Sequence, residues 1–177
     1  MDTIAGYLID RALHTGGESL VYRVRSAADS AALVIKVLLG DYPSPARLSR
    51  FTREHEMLRR AAGPGVPAVR ELARHRNTAL IVCEDSHGAA LNLLLAEGAL
   101  GVAQVLDVAV KVAAGLDRVH ALGIVHKDVN PSNIVYNPET GVVELIDFGI
   151  AADLAREETP DLGVLEGTLA YIAPEQT

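Results

Sequence analysis

The 177-residue sequence is poor in several residue types. It has one cysteine, two methionines and no tryptophan, and aromatic side chains make up 4% of it. The lone thiol, Cys83, has no partner for an internal disulfide, which fits a reducing compartment. It also leaves no Cys/His cluster with the spacing of zinc ligands. No apolar run approaches the roughly 20 residues needed to cross a bilayer as a helix. Basic residues are in deficit, 16 Lys and Arg against 23 Asp and Glu, for a net charge of −7. That balance argues against a nucleic-acid binder, whose footprint would be basic. There is no internal repeat and no low-complexity stretch, and Met1-Asp2-Thr3 puts an acid where a basic leader would sit. With 49% hydrophobic residues the chain can build a core. The expectation is an acidic, soluble, cytoplasmic domain, or two small lobes.

The first half alternates in the manner of strands. Tyr7 to His14 and Leu20 to Arg25 flank the turn-prone Thr15-Gly16-Gly17-Glu18. Leu33 to Leu39 is a β-branched run. After Pro43 and Pro45 a helix is predicted from about Ala46, with Leu48, Phe51, Leu58 and Ala62 at helical spacing and Gly63-Pro64-Gly65 as its stop. Strands near Val69 to Arg74 and Ala79 to Glu84 follow. Beyond Ser86-His87-Gly88 the character changes. Ala89 to Glu97 suits a short helix, and Val102 to Leu122 a long one with Val105, Val108, Val112, Leu116 and Val119 on its stripe. Gly123 stands where a helix C-terminus favours glycine. Short strands at Ile134 to Tyr136 and Val142 to Ile146 enclose the turn from Asn137 to Gly141, and Ala151 to Thr177 shows little periodicity. The pattern is α+β: a strand-rich half with one helix, a linker, then a helix-rich half, and so two lobes with a cleft.

Lys36 interrupts the apolar strand Leu33-Val34-Ile35-Lys36-Val37-Leu38, sharing a face with Val34 and Leu38. A lysine there either snorkels at an edge or is buried with a partner. Glu54 projects from the apolar stripe of the predicted helix, where a carboxylate needs a cation, whereas Glu56 should face water. Lys36 and Glu54 therefore make a candidate pair, and a plain buried ion pair would account for them equally. A second constellation is His126-Lys127-Asp128-Val129-Asn130-Pro131-Ser132-Asn133, followed nineteen residues after Asp128 by Asp147-Phe148-Gly149. Asn133 and Asp147 are oxygen donors that a hairpin could bring together, suiting a hard cation such as magnesium. Asp128 could then accept a proton from an attacking hydroxyl. The alternative is that Asp128 and Asn133 merely shape turns.

In order and spacing these elements, with Ala173-Pro174-Glu175, resemble the signature of the eukaryotic-like serine/threonine protein kinases: strand lysine, helix glutamate, H-R-D-x-x-x-x-N loop, D-F-G, A-P-E. The resemblance runs over essentially the whole chain. It implies a protein-kinase-like two-lobed α+β fold, with an N-lobe over 1–84, a hinge at 85–88 and part of a C-lobe over 89–177. It implies ATP and Mg2+, with transfer of the γ-phosphoryl group to Ser or Thr of a protein substrate in bacterial-type signalling. Lys36 would hold the α- and β-phosphates, positioned by Glu54. Asp147 and Asn133 would bind the metal, and Asp128 would be the catalytic base. Gly16 and Gly17 would face the phosphates. Val21 and Val34 would cover the adenine and Val135 would lie beneath it, with Cys83 behind and Glu84 to Ser86 supplying backbone hydrogen bonds. Thr168 matches the threonine that goes with Ser/Thr acceptors.

The sequence also departs from the family pattern. The outer glycines of the phosphate loop are His14 and Ser19. Asn130 replaces the catalytic-loop lysine that touches the γ-phosphate, retaining a donor but not the charge. Lys127 replaces an arginine that grips an activation-segment phosphate bidentately. Glu157, Glu158 and Asp161 near Thr159 could stand in for such a phosphate or form a solvated acidic loop. The chain stops two residues after Glu175, so a fragment of a longer, multidomain signalling protein is expected, weakly active and poorly soluble alone. Two further readings stay open: a nucleotide-binding pseudokinase that acts as a regulatory module, and a small-molecule phosphotransferase.

Overall fold

The computed structural model describes residues 2–40, 42–98, 100–155 and 167–174. Its elements are β1 (Thr3–Ile4), β2 (Tyr7–Thr15), β3 (Ser19–Ser26), β4 (Ala32–Leu38), α1 (Pro45–Ala61), β5 (Val69–His75), β6 (Thr78–Glu84), β7 (Ala89–Ala90), α2 (Leu91–Glu97), α3 (Val102–Ala121), β8 (Ile124–Val125), β9 (Ile134–Tyr136), β10 (Val143–Leu145) and β11 (Ala152–Asp153). Short 3-10 turns occupy Pro131–Asn133 and Leu169–Tyr171. The chain divides into two compact units, Met1–Glu56 with Ala68–Asp85, and Met57–Pro67 with Ser86–Thr177. Among the described residues no helix is long and apolar enough to cross a membrane.

The first unit is a six-stranded antiparallel sheet in the order β1-β2-β3-β4-β6-β5. Strand alternation sorts β4 into two faces. Leu33, Ile35 and Val37 are buried with Val24, Leu80, Val82 and Tyr7 in one core cluster. Val34, Lys36 and Leu38 take the other face. The turn between β2 and β3 is closed by Gly16 N–H donating to the Ser19 carbonyl at 3.0 Å. Two register shifts in β2, between Ile9 and Arg11 and between Ala12 and His14, precede that turn.

The second unit holds a three-stranded sheet, β10-β9-β7, and the pair β11-β8. Helix α3 ends at Ala121 with Leu122 as its C-cap, and Gly123 follows at φ +71°, a left-handed position that glycine adopts without strain. The apolar stripe of α3 differs from the spacing argument. Val108, Gly115 and Val119 are buried, but Val105 is 48% exposed. Burial here follows close approach rather than side-chain size: a Cβ on Gly65 would come within 2.9 Å of the Gly115 backbone, so two glycines let the 63–65 loop touch the helix. The short helix begins at Leu91 rather than Ala89, because Ala89 and Ala90 pair with Tyr136 and Val135 as β7. Strands β1, β8 and β11, each two residues long, carry too little pattern to be read in sequence. Glu157, Glu158, Thr159, Asp161 and Glu175 lie outside the described residues.

Candidate functional site

The functional side chains fall into two groups, one in each unit. In the first unit, β4 and α1 bring Lys36 and Glu54 together. Lys36 Nζ donates to Glu54 Oε1 at 2.6 Å, with the two side chains 20% and 5% exposed. The helix periodicity that buries Phe51 and Leu58 also buries Glu54, while Glu56 is exposed. Cross-strand partners share a face of a sheet. Val21 pairs with Lys36, and Val34 with Arg23 and Cys83, so Val21, Val34, Lys36, Arg23 and Cys83 lie on one face.

The glycine turn is tied back to the rest of this unit. The Glu18 carbonyl accepts from Leu39 N–H at 2.8 Å and from Arg47 Nη2 at 3.2 Å, and the Glu18 carboxylate stands 3.8 Å from Arg50. His14 folds over Gly16, with its Nε2 2.8 Å from where a Cβ would sit. Gly17 has open space around it. At the end of β6, Glu84 N–H donates to the Ala68 carbonyl at 2.9 Å. Asp85, its side chain 3% exposed, pairs with Arg23 Nε at 2.6 Å.

In the second unit the segment from His126 to Asn133 is held by side-chain-to-backbone bonds. His126 is buried, and its Nε2 meets the Ile146 carbonyl at 3.0 Å. A carbonyl can only accept, so Nε2 carries the proton and Nδ1 accepts from Asp128 N–H at 3.3 Å. Burial, the largest cause, pushes this imidazole below its ordinary 6.5, in keeping with the neutral tautomer. Phe148 packs edge-on against the ring at 4.7 Å.

Asp128 accepts five hydrogen bonds, three on its carboxylate and two on its carbonyl. Its Oδ1 accepts from Thr168 N–H at 2.9 Å and Thr168 Oγ1 at 2.7 Å. Its Oδ2 accepts from Asn133 Nδ2 at 2.7 Å, and the same nitrogen donates to the Asp128 carbonyl at 2.9 Å. With both amide hydrogens of Asn133 directed to Asp128, its oxygen is the atom left to offer elsewhere. Asn133 and Asp147 belong to neighbouring stretches, joined by Ile146 N–H donating to the Asn133 carbonyl at 2.9 Å. Asp147 sits in the left-handed region at φ 64° and accepts from Gly149 N–H at 3.2 Å. Lys127, at φ 65°, is strained in the same way. Each such residue costs on the order of 1–3 kcal/mol and persists because its surroundings determine it.

Asn130 is 4% exposed and its amide is fully engaged. The oxygen caps the 3-10 turn by accepting from Ser132 N–H at 2.8 Å. The nitrogen donates to the Asp128 carbonyl at 3.3 Å and to Thr168 Oγ1 at 3.1 Å. No amide hydrogen remains to meet a phosphate. Ser86 offers its carbonyl to Asn137 Nδ2 at 2.8 Å. Val135 lies against Gly88, where a Cβ would fall 2.6 Å from Val135 Cγ1 and 2.9 Å from the Tyr136 backbone.

Motif spacing singled out Asp128, Asn130 and Asn133, but not the links that position them. Thr168 reaches Asp128 across forty residues, Asn137 holds Ser86, and Gly88 permits the approach to β9. The only local signals were the Asn-Pro pairs Asn130-Pro131 and Asn137-Pro138, which favour turns.

A lysine paired to a buried helix glutamate in one unit, and a loop aspartate joined to an asparagine near a second aspartate in the other, are each residue sets of the kind that phosphoryl transfer uses. Comparison with known proteins gives the same class. The protein kinase domain model matches residues 7–177, and the chain belongs to this family. It is 33% identical over 182 residues to serine/threonine-protein kinase PknA of Mycobacterium tuberculosis, covering 98% of this chain and 42% of that protein. PknL, a serine/threonine-protein kinase of the same organism, is 33% identical over 172 residues, 96% of this chain and 43% of PknL. A probable serine/threonine-protein kinase of Clostridium perfringens is 31% identical over 163 residues, 91% of this chain and 24% of that protein. The chain thus spans less than half the length of these relatives.

Proposed function

We propose that this chain is the nucleotide-binding and catalytic part of a bacterial-type serine/threonine protein kinase. It would transfer the γ-phosphoryl group of ATP to Ser or Thr hydroxyls of a protein substrate in the cytoplasm. The observation that carries the reading is the set of bonds on Asp128. Thr168 occupies Oδ1 with two donors, while Oδ2 holds one donor from Asn133 and keeps a lone pair. That lone pair is where an incoming hydroxyl would donate its proton. Asn133 Oδ1 and the Asp147 carboxylate fit Mg2+, which takes hard oxygen donors and completes its shell with water and phosphate. Bound there, the ion would neutralise charge on the phosphates. Among the described residues no cluster of three or more His, Cys, Asp or Glu could hold a metal by itself.

In this reading 1–84 and 89–177 act as the two lobes around a hinge at 85–88. Lys36, oriented by Glu54, contacts the α- and β-phosphates. Gly16 and Gly17 admit the phosphates, Val21, Val34 and Val135 contact the adenine, and the backbone at Glu84 and Ser86 reads its edge. Asn130 supports Asp128 and Thr168 and leaves charge neutralisation to Lys36 and the metal. The acceptor protein and further domains of a longer chain are the partners. The committed amide of Asn130, with His14 and Ser19 in the phosphate loop, favours a second reading, a pseudokinase that binds nucleotide without turnover. Labelled ATP and the purified full-length protein separate the two. Transfer that ends in both Asp128→Asn and Lys36→Met supports the kinase. Transfer that persists in both overturns the catalytic assignment, and ATP binding without transfer by the wild type decides for the pseudokinase.

A further inference from the structure

Asp153 is 1% exposed, and a carboxylate so deep needs a cation. Arg60, in the last turn of α1, supplies it through Nη1 on Asp153 Oδ2. The same guanidinium donates from Nη2 to the Leu122 carbonyl at 3.2 Å, at the C-terminus of α3. Asp153 Oδ1 accepts from Ala155 N–H at 3.2 Å, and Leu154 N–H donates to the Gly123 carbonyl at 2.9 Å. The end of α1, the end of α3 and the β8–β11 pair therefore meet at one ion pair.

Strand β11 needs such a fixing point. It has two residues, Ala152 and Asp153, paired with Val125 and Ile124. So short a ladder specifies its register weakly, and a slip of one residue would exchange the faces. Ala152 and Asp153 are both buried, so a slip would move Asp153 to the opposite face of the pair and separate it from Arg60. An apolar pair could stabilise the junction as well as an ion pair does. What the charges add is one register. Upstream, Phe148 is buried against His126, and Ala151 N–H closes back on the Phe148 carbonyl at 3.1 Å. The stretch from Phe148 to Asp153 is thus pinned at both ends, with Asp147 immediately before it.

We propose that Arg60 and Asp153 are positioning residues for Asp147: by fixing the register of β11 they fix the stretch that aims the Asp147 carboxylate. The proposal rests on the reading of Asp147 as a metal ligand. The test uses Asp153→Asn, Arg60→Gln and Arg60→Lys in the full-length protein. Hydrogen exchange is followed over 124–125 and 146–155, together with melting temperature and the Mg2+ concentration for half-maximal phosphoryl transfer. Asp153→Asn and Arg60→Gln should speed exchange in both segments and raise the Mg2+ requirement about tenfold, as loss of a supporting partner of a metal ligand does. Arg60→Lys, which keeps the charge, should recover much of both. Unchanged exchange, or a lower melting temperature with an unchanged Mg2+ requirement, would overturn the proposal. If the wild type transfers no phosphate, the proposed function fails instead. Exchange over 146–149 then decides: faster in Asp153→Asn supports positioning, and unchanged overturns it.

Discussion

The unit of Met1–Glu56 and Ala68–Asp85 is ordered mainly by ladders, with five antiparallel strands of seven to nine residues. The strands of the other unit are two or three residues long, and side chains take over the ordering. His126, Asn130, Asn133, Asn137 and Asp153 are all buried there, and each bonds to backbone. Ladder bonds survive most side-chain changes, because any residue but proline supplies them. Side-chain bonds do not, and a half-satisfied buried network is costly. They can, however, hold residues such as Lys127 and Asp147 in conformations that a ladder would not allow.

The sharpest way to break this contrast is to remove one polar group from each unit. Asp128→Asn in the second should lower phosphoryl transfer about 10²–10⁴-fold, and should also lower the melting temperature, because the new amide nitrogen would face a donor of Asn133 or Thr168. Lys36→Met in the first should lower it about 10²–10³-fold, the order of one lost electrostatic contact in the transition state. Steady-state transfer from labelled ATP reads both. Next in size is a core deletion in the ladder unit. Leu33 is fully buried, and Leu33→Ala should cost about 2–5 kcal/mol by urea unfolding. The transfer rate per folded molecule should be kept, and a loss out of proportion to unfolding would show that the sheet positions the site directly.

A smaller effect is expected from Asn137→Ala, which strips bonds from the Ser86 carbonyl and from the N–H groups of Glu139 and Thr140. The cost should be about 1–3 kcal/mol. A neutral result would mean that water replaces these bonds and that the network is less demanding than argued. The smallest effect is on pH dependence. Because burial lowers the pKa of His126, the unfolded chain binds its proton first as pH falls. Stability should hold above about 6.5, decline as pH falls from there toward the lowered folded value, and then level off. Urea midpoints between pH 8 and 5 would show that decline in the wild type and its loss in His126→Phe. Equal slopes in the two would remove His126 from the account.

Much of the secondary structure was legible because apolar periodicity is local. The long strands and both long helices end within about two residues of their sequence estimates. Two-residue strands were not, since β7 is made of two alanines that pair only because Gly88 lets the chain come against β9. In the site, Lys36 stood out as a charge in an apolar strand and Glu54 as a carboxylate on an apolar stripe. The asparagines were harder. Their spacing marked Asn130 and Asn133, but an amide can cap, donate or ligate, and only the partner decides which.

Taken alone, the sequence determined that this protein has an α+β strand-then-helix order and the protein kinase family's residues at the family's spacings. Both are properties of neighbouring residues and of their order along the chain. Tertiary structure decided which donors those residues meet: Thr168 on Asp128, Asn130 committed to a turn and to Thr168, Asp153 buried on Arg60. These partners lie 38 to 93 residues apart, and a hydrogen bond specifies direction and distance that no pattern along the chain encodes.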